Sequence, residues 1–301
     1  MSDLAIRTDG LSWRAGKGFA LDQVDLRVPT GAVYGFLGPN GAGKTTTIRA
    51  LLGLLGQVEG KVTLLGHQIP GELPRALARV GYVPERPHLY QHFTVAQAME
   101  YHGAFHANWD AGWADAQRRR FALAADQEIK ALSKGELGKL MILLALAQRP
   151  ELLLLDEPTD GLDPVVRRDV LSALVEYVDE RKATVFISSH LVHELERICD
   201  WVGLMDSGRL VAEMPMGRFK AGVRRLRLGG VAPVPDGAPF TLLARETPVG
   251  SGEEWLVRDW ADGMESWFAS QGAQLREVTA LDLEDVFVEL LRWARFDRRS
   301  A

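Results

Sequence analysis

The sequence predicts an α/β fold with a mostly parallel sheet, and three observations support this class. A glycine-rich loop at residues 38–46 lies between a short apolar run and a helical pattern that stops at Gly56. Four consecutive leucines at residues 152–155 indicate a strand that is buried on both faces, as strands of parallel sheets are. Residues 94–149 instead carry apolar positions at helical spacing. We therefore expect a strand–loop–helix core with a helical subdomain inserted at about residues 86–150.

The other elements follow in chain order. Alternating patterns at residues 5–8 and 21–28 predict an antiparallel β edge beside the loop. Further strands are expected at residues 60–66, 80–85 and 184–188, helices at 164–180 and 191–199, and a hairpin at 201–214. After the hairpin, proline and glycine spacers separate short runs at 224–228, 241–246, 254–258 and 274–279, followed by an amphipathic helix at 283–293. These features predict two domains, residues 1–216 and a small α+β domain at residues 217–301.

Composition and charge narrow the function classes. The chain has 35 Lys and Arg against 40 Asp and Glu, and the net charge of −5 offers no global attraction to nucleic acid. Its single cysteine, Cys199, cannot form an internal disulfide, which favours a reducing compartment. The first ten residues lack the pattern of a signal peptide, and no apolar run approaches the ~20 residues that span a bilayer. We expect a cytoplasmic protein that binds no nucleic acid and meets a membrane only peripherally.

The loop at residues 38–46 has the spacing of a phosphate-binding loop, in which two glycines are followed by lysine and a hydroxyl residue. Glycines allow successive N–H groups to turn toward one anion, and a helix N-terminus adds partial positive charge. Lys44 would reach the outer phosphates of a nucleotide, and Thr45 would bind Mg²⁺. The residues expected at the phosphates are Gly38, Pro39, Asn40, Gly41, Ala42, Gly43, Lys44, Thr45 and Thr46. The alternative is a glycine-rich turn that only caps a helix.

Two carboxylates and a histidine follow predicted strands. Asp156 and Glu157 come directly after the leucine strand. At such a strand end, one carboxylate can hold Mg²⁺ through water and the other can act as base for an attacking water. His190 follows the next strand, where its side chain could meet a γ-phosphate. The alternatives are solvated surface carboxylates and a structural histidine.

A further motif, Leu132-Ser133-Lys134-Gly135-Glu136, opens the helix that runs to Arg149. By itself, Ser133 would be the N-cap of that helix, and Glu136 would complete a capping box. Taken in order with the phosphate loop, however, the motif set resembles the nucleotide-binding subunit of ATP-binding cassette (ABC) transporters. The resemblance also includes Glu85, the pair Asp156 and Glu157, residues 161–163 and His190, and it covers residues 1 to about 215.

The resemblance implies a P-loop NTPase core and an ATPase that uses ATP and Mg²⁺. The implied catalytic residues are Glu157, His190 and Glu85, and the implied metal ligands are Thr45, Asp156 and Glu85. Ser133 and Gly135 would contact ATP bound to a second copy of the protein, so the family implies a homodimer. Asp163 would link the two sites.

Four positions depart from the family pattern. Glu85 stands where relatives usually have glutamine. In the signature motif, Lys134 replaces the first of two adjacent glycines and Glu136 replaces the usual glutamine. Ala15 stands where many relatives place an aromatic ring on the adenine. Since alternate residues of a strand share a face, Trp13 is the nearest substitute, with Phe19 as the runner-up.

The end of the chain, residues 281–290, is similar to the C-terminal extension of ATPases that serve ABC-2 type exporters. The family implies integral membrane subunits as partners, met on the cytoplasmic face of the inner membrane, with export as the expected role. The expected docking site is the cleft between Glu85 and about Trp109, where Leu89, Tyr90 and Phe93 are expected to be exposed, unless these rings only pack the two subdomains together. An alternative function is an ABC ATPase that powers a non-transport envelope assembly or a signalling complex.

Overall fold

The computed structural model describes residues 4–16, 18–229, 237–246 and 252–300, and the side chains of residues 296–300 lie outside that description. Contacts divide the chain into two compact units. The first contains residues 1–191 and 197–213, and the second contains residues 192–196 and 214–301. The boundary between the two units thus falls between residues 213 and 214. The sequence predicts the domain boundary between residues 216 and 217. The first unit contains every site residue that the sequence predicts.

The first unit begins with β1 (Leu4–Arg14), β2 (Ala20–Val24), β3 (Arg27–Pro29), β4 (Val33–Leu37), α1 (Lys44–Leu51), β5 (Glu59–Leu64), β6 (His67–Ile69), α2 (Leu73–Leu77) and β7 (Val80–Val83). It continues with α3 (Val95–Gly103), α4 (Ala111–Arg120), a 3₁₀ turn (Ile129–Ala131), α5 (Lys134–Ala147), β8 (Leu152–Asp156), α6 (Pro164–Arg181) and β9 (Thr184–Ser189). The second unit begins with α7 (Val192–Leu195). After it, β10 (Trp201–Asp206) and most of β11 (Arg209–Pro215) complete the first unit. The sequence pattern missed β6 and α2 because elements of three and five residues show no clear period.

The main sheet has six strands in the order β11-β10-β4-β9-β8-β7, and the neighbouring pairs from β10 to β7 are all parallel. This confirms the predicted α/β class. All five residues of β4 and of β8 are buried, as the run of leucines at 152–155 predicts. Because parallel strands run in one direction, the carboxyl ends of β4, β8 and β9 meet at one edge of the sheet.

The predicted antiparallel edge forms a sheet of its own, with the order β2-β1-β5-β6 and with β3 also paired to β1. Residues 21–28, expected as one strand, form two strands with a break at Asp25. The Thr8 hydroxyl donates to the Val24 carbonyl and accepts from the Leu26 amide, so a buried side chain replaces ladder contacts at the break. At this point the Thr8 side chain bonds to the backbone in place of a neighbouring strand, and the ladder is interrupted between β2 and β3.

The inserted helical subdomain contains α3, α4 and α5. Residues 140–147 of α5 are all buried. Four of them, Leu140, Leu143, Leu144 and Ala147, pack in a core with Val95, Ala98, Ala114 and Phe121. Side chains of Thr94, Asp110 and Ser133 cap the N-termini of these three helices. The helical pattern of 94–149 is interrupted between α4 and α5, where the chain forms turns, an isolated β-bridge from Glu128 to Thr94 and the 3₁₀ segment.

The second unit is a small α+β domain. After α7 it contains α8 (Met216–Gly222), β12 (Arg224–Leu228), β13 (Thr241–Glu246), β14 (Glu253–Arg258), α9 (Glu265–Ser270), β15 (Leu275–Ala280) and α10 (Leu283–Ser300). Its antiparallel sheet has the order β13-β14-β12-β15, and Trp255 and Phe268 are fully buried in its core. The helix expected at 191–199 is shorter, because α7 ends at Leu195 and turns follow. Among the described residues of the chain, no helix is long and apolar enough to cross a membrane.

Candidate nucleotide site

The candidate site lies where β4, β8 and β9 end. The loop at residues 38–43 follows β4. Asp156 is the last residue of β8 and Glu157 comes directly after it, and His190 follows β9. Strand pairing sets Leu37 beside Ser189 and Asp156 beside Ser188. The parallel register therefore brings groups that are more than 100 residues apart in sequence to one edge of the sheet.

The loop that follows β4 requires glycine at its junction with α1. Gly43 is the N-cap of α1 and has φ of 113°, in the region that favours glycine. A Cβ atom at Gly43 would lie 2.9 Å from Cζ of Phe19. Backbone conformation and close approach to an aromatic ring both exclude a side chain here.

Lys44, the first residue of α1, is almost entirely buried and is held by three oxygens. Its Nζ donates to the Gly38 carbonyl at 2.7 Å and the Pro39 carbonyl at 3.3 Å, and lies 3.0 Å from Oε1 of Glu157. A buried ammonium requires such partners, since an unpaired buried charge is very costly. The loop thus positions one cation in the wall of the site.

Asp156 is buried at the end of β8 and has two different carboxylate oxygens. Its Oδ1 accepts from the Thr45 hydroxyl at 3.0 Å and from the Ser188 hydroxyl at 2.8 Å. Its Oδ2 is buried without a hydrogen-bond partner among the described residues. Burial raises the pKa of Asp156, the two hydroxyls oppose that rise, and the charges of Glu85 and Glu157 add to it.

A buried carboxylate oxygen without a donor, next to a threonine hydroxyl, suits a hard divalent cation or a water bound to it. Oxygen ligands of this kind are the ones that Mg²⁺ prefers. The residues present therefore fit the Mg²⁺ that the sequence motif implies.

Glu157 follows β8 directly and contacts groups that follow the other two strands, β4 and β9. Besides its contact with Lys44, its Oε2 accepts from the His190 amide at 3.3 Å and lies 2.9 Å from His190 Nδ1. A carboxylate only accepts, so this contact requires the proton on Nδ1. Glu157 also has φ of 48°, an unfavourable conformation for a residue with a side chain. Strain of this kind is often found where side-chain placement serves function.

These groups line a cavity of about 500 Å³. Its lining residues are Phe19, Asn40, Gly41, Gly43, Lys44, Thr45, Thr46, Glu85, Glu157, Asp160 and His190. A cavity of this size, lined by a lysine, carboxylates and an aromatic ring, suits a charged ligand that carries a flat ring system.

Comparison with known proteins identifies the family. A family model described as ABC transporter matches residues 21–160. The Nod factor export ATP-binding protein I of Cupriavidus metallidurans is 37% identical over 203 residues, which cover 66% of this chain and 67% of the relative. The bacitracin transport ATP-binding protein BcrA of Bacillus licheniformis is 35% identical over 218 residues, which cover 71% of each chain. The chain belongs to the ABC transporter ATP-binding proteins.

A solved structure described as the ATP-binding subunit of an ABC transporter supports the same assignment. It matches with a TM-score of 0.66 at 26% identity, covering 72% of this chain and 92% of that chain. Proteins of this family are ATPases, and this chain is an ABC ATPase. The comparisons confirm the family and the P-loop NTPase fold that the sequence motifs imply.

The structure brings most of the predicted site residues of this ABC ATPase together. The phosphate loop, Glu85, Glu157 and His190 surround the cavity, and Asp156 lies behind Thr45. Three other predicted residues lie at helix ends. Ser133 and Glu136 form the capping box of α5, Gly135 follows in its first turn, and Asp163 caps α6 by accepting from the amides of Val165 and Val166.

Trp13 is not among the residues that line the cavity, whereas Phe19 is. The Trp13 indole donates to the Gly56 carbonyl at 3.0 Å instead. The placement of Trp13 beside adenine assumed that residues 13 and 15 alternate along one strand. However, β1 ends at Arg14, so Ala15 lies beyond the strand. The alternation of faces along a strand therefore does not extend from Trp13 to position 15.

Sequence reasoning missed two residues of the site in this ABC ATPase. Ser188 donates to Asp156 and accepts from the Glu157 amide at 3.0 Å, and Asp160 lines the cavity. Asp160 could have been suspected from its place in the loop after Glu157. Ser188 could be found only from the register that pairs it with Asp156.

We predict that Ser188→Ala lowers the free energy of unfolding by about 1–3 kcal/mol, because it removes hydrogen bonds to two buried or partly buried groups. The change also removes a bond that favours ionised Asp156, so the pKa of Asp156 should rise further. Denaturant unfolding at neutral pH measures the effect. Ser172→Ala, at an exposed serine of α6, is the control and should not lower the free energy of unfolding. Equal effects of the two substitutions would contradict the role given to Ser188.

Proposed function

We propose that this ABC ATPase binds ATP with Mg²⁺ in the cavity and hydrolyses it to drive separately encoded integral membrane subunits, with export as the process. The observation that carries the proposal is the convergence of Lys44, Asp156 and Glu157 at the ends of two parallel strands. The names of two relatives, a Nod factor export protein and a bacitracin transport protein, support export.

Each residue of the site would have a separate role in ATP hydrolysis. Lys44 would bind the outer phosphates, and Thr45, Asp156 and Glu85 would hold Mg²⁺ directly or through water. Bound Mg²⁺ would neutralise phosphate charge as it develops during transfer. Glu157 would act as the base for the attacking water, and His190, 2.9 Å from its carboxylate, would orient that carboxylate and sense the γ-phosphate.

We further propose that the protein works as a homodimer. Ser133, Gly135 and Asp163 lie at the N-termini of α5 and α6, and they are not among the residues that line the chain's own cavity. Val165, in the first turn of α6, is 71% exposed, so this surface presents an apolar side chain. A second copy would cover this surface while its nucleotide meets Ser133 and Gly135.

The surface for the membrane subunits would be a group of aromatic side chains in the helical subdomain. Tyr90, Phe93, Tyr101 and Phe105 form a continuous series of ring contacts with centroids 4.9–5.7 Å apart. Tyr90 and Phe105 are 52% and 69% exposed, although Phe93 also packs on the local core. Exposed, preorganised aromatic groups suit an interface hot spot. Docking here would place the ATPase on the cytoplasmic face of the inner membrane.

The proposed role of Glu157 predicts that Glu157→Gln abolishes turnover and preserves ATP binding. The amide keeps the shape of the side chain but cannot accept the proton, and loss of a positioned base typically costs about 10²–10⁴ in rate. Phosphate release and nucleotide titration measure the two properties. Glu100→Gln, at an exposed glutamate, should retain both. Near wild-type hydrolysis by Glu157→Gln would remove Glu157 from the role of base.

The position of Phe19 predicts that Phe19→Ala weakens ATP binding by about 1–3 kcal/mol, the range for stacking of an aromatic side chain on a base. Trp13→Ala is the matched control and should leave the affinity unchanged, since the Trp13 indole bonds to the Gly56 carbonyl. Titration with ATP and with inorganic triphosphate separates the adenine contact from the phosphate contacts. A loss of affinity with Trp13→Ala alone would restore Trp13 as the adenine-stacking residue.

The docking proposal predicts that Tyr90→Glu leaves the ATPase folded and able to bind ATP but lowers its recovery with membranes that contain its partner subunits. Desolvating a charge within an apolar contact is unfavourable, so binding should fall at least about tenfold. A pull-down from native membranes measures recovery. Leu54→Glu places the same charge at another exposed apolar residue and should not reduce it. Equal recovery of wild type and Tyr90→Glu would rule this surface out.

A further inference from the structure

An ion pair joins the start of α5 to the loop that follows β8. Lys134 is the first residue of α5, and its Nζ lies 3.7 Å from Oδ2 of Asp160. Both side chains are largely exposed, at 64% and 51%. An exposed pair at this distance contributes little to folding, typically 0–1 kcal/mol. Stability therefore does not explain why the lysine is directed there.

The lysine side chain lies directly against the backbone of the loop that carries Asp160. A Cβ atom at Gly161 would lie 2.1 Å from Nζ of Lys134 and 3.1 Å from its Cε. Gly161 also has φ of 63°, which favours glycine. Any other residue at position 161 would be strained, and the end of the lysine side chain would have to move.

Asp160 belongs to the wall of the nucleotide cavity. It lines the cavity with Glu85 and Glu157, so three carboxylates face a ligand that is itself an anion. Lys44 already lies 3.0 Å from Glu157. Asp160 is tied to the same loop, because its amide donates to the Glu157 carbonyl at 3.1 Å. Without a cation beside it, the Asp160 carboxylate would add to the negative charge that faces the phosphates.

We propose that Lys134 is a positioning residue for nucleotide binding: it acts through Asp160, holding that carboxylate and offsetting its charge in the lining of the cavity. The inference rests on the proposed function, because it requires an anionic nucleotide in the cavity. The lysine that departs from the family pattern thus compensates for a carboxylate of the same chain. Its charge matters for ligand affinity, and its contribution to folding is small.

A charge-rescue experiment tests this inference with four proteins: wild type, Lys134→Met, Asp160→Asn and the double variant. At low ionic strength, Lys134→Met should weaken MgATP binding about three- to tenfold, because one carboxylate near the phosphates loses its cation. The KM for MgATP should rise by a similar factor. The kcat should stay within about twofold, since Glu157 and Lys44 are unchanged. Asp160→Asn should bind MgATP at least as tightly as wild type. The double variant should recover wild-type affinity or better.

Three further measurements separate this electrostatic role from a structural one. Lys134→Arg should behave as wild type, because it keeps the charge. The effect of Lys134→Met should shrink at about 0.5 M salt, where screening acts within a few ångström. Lys130→Met is the matched control, since Lys130 is also 64% exposed but pairs with Glu128, which is not among the residues that line the cavity. It should leave MgATP affinity unchanged, and all variants should keep the wild-type melting temperature.

Two outcomes would overturn the inference alone. One is wild-type affinity in Lys134→Met at low ionic strength. The other is a double variant that binds as weakly as Lys134→Met, which would mean that Lys134 does not act through Asp160. If wild type itself bound no MgATP, the proposed function would fail, and this inference would fail with it.

Discussion

Lys44 and Glu157 meet inside the wall of the cavity, with Nζ 3.0 Å from Oε1 and with both side chains almost fully buried. The contact joins the loop after β4 to the end of β8. The second oxygen of Glu157 reaches His190 after β9, so one carboxylate links the ends of three parallel strands. A buried charge without a partner is far more costly than a paired one. The placement of each group therefore depends on the others, and the site behaves as a unit rather than as a set of independent side chains.

The parts of the site that could be predicted from the sequence are those with a local signature. The spacing of residues 38–46 identifies the loop because glycine, lysine and threonine each have one physical task there. The four leucines before Asp156 identify a strand buried on both faces, and the fold class follows from it. Once the strands are parallel, their carboxyl ends must share an edge, so the meeting of the loop with Glu157 and His190 also follows.

The parts that could not be predicted depend on register and on short-range backbone geometry. The proposal of Phe19 rather than Trp13 beside adenine depends on the end of β1 at Arg14 and on the residues that line the cavity, and no residue pattern predicts either. Ser188 is one of several serines in the chain, and only its pairing with Asp156 marks it. The charge balance between Lys134 and Asp160 requires the close approach at Gly161, a feature that depends on a left-handed residue in a loop.

Glu157 keeps its place at a backbone conformation that costs of order 1 kcal/mol for a residue with a side chain. Glycine at this position would relieve that cost, and it would also remove the carboxylate that Lys44 and His190 contact. The unpaired buried ammonium of Lys44 would cost more than the backbone strain that glycine relieves, so a screen for thermostable variants should retain the glutamate at this position. The ion pair with Lys44 therefore holds Glu157 in its strained conformation. Stabilising the enzyme without loss of function requires changes elsewhere, away from the end of β8.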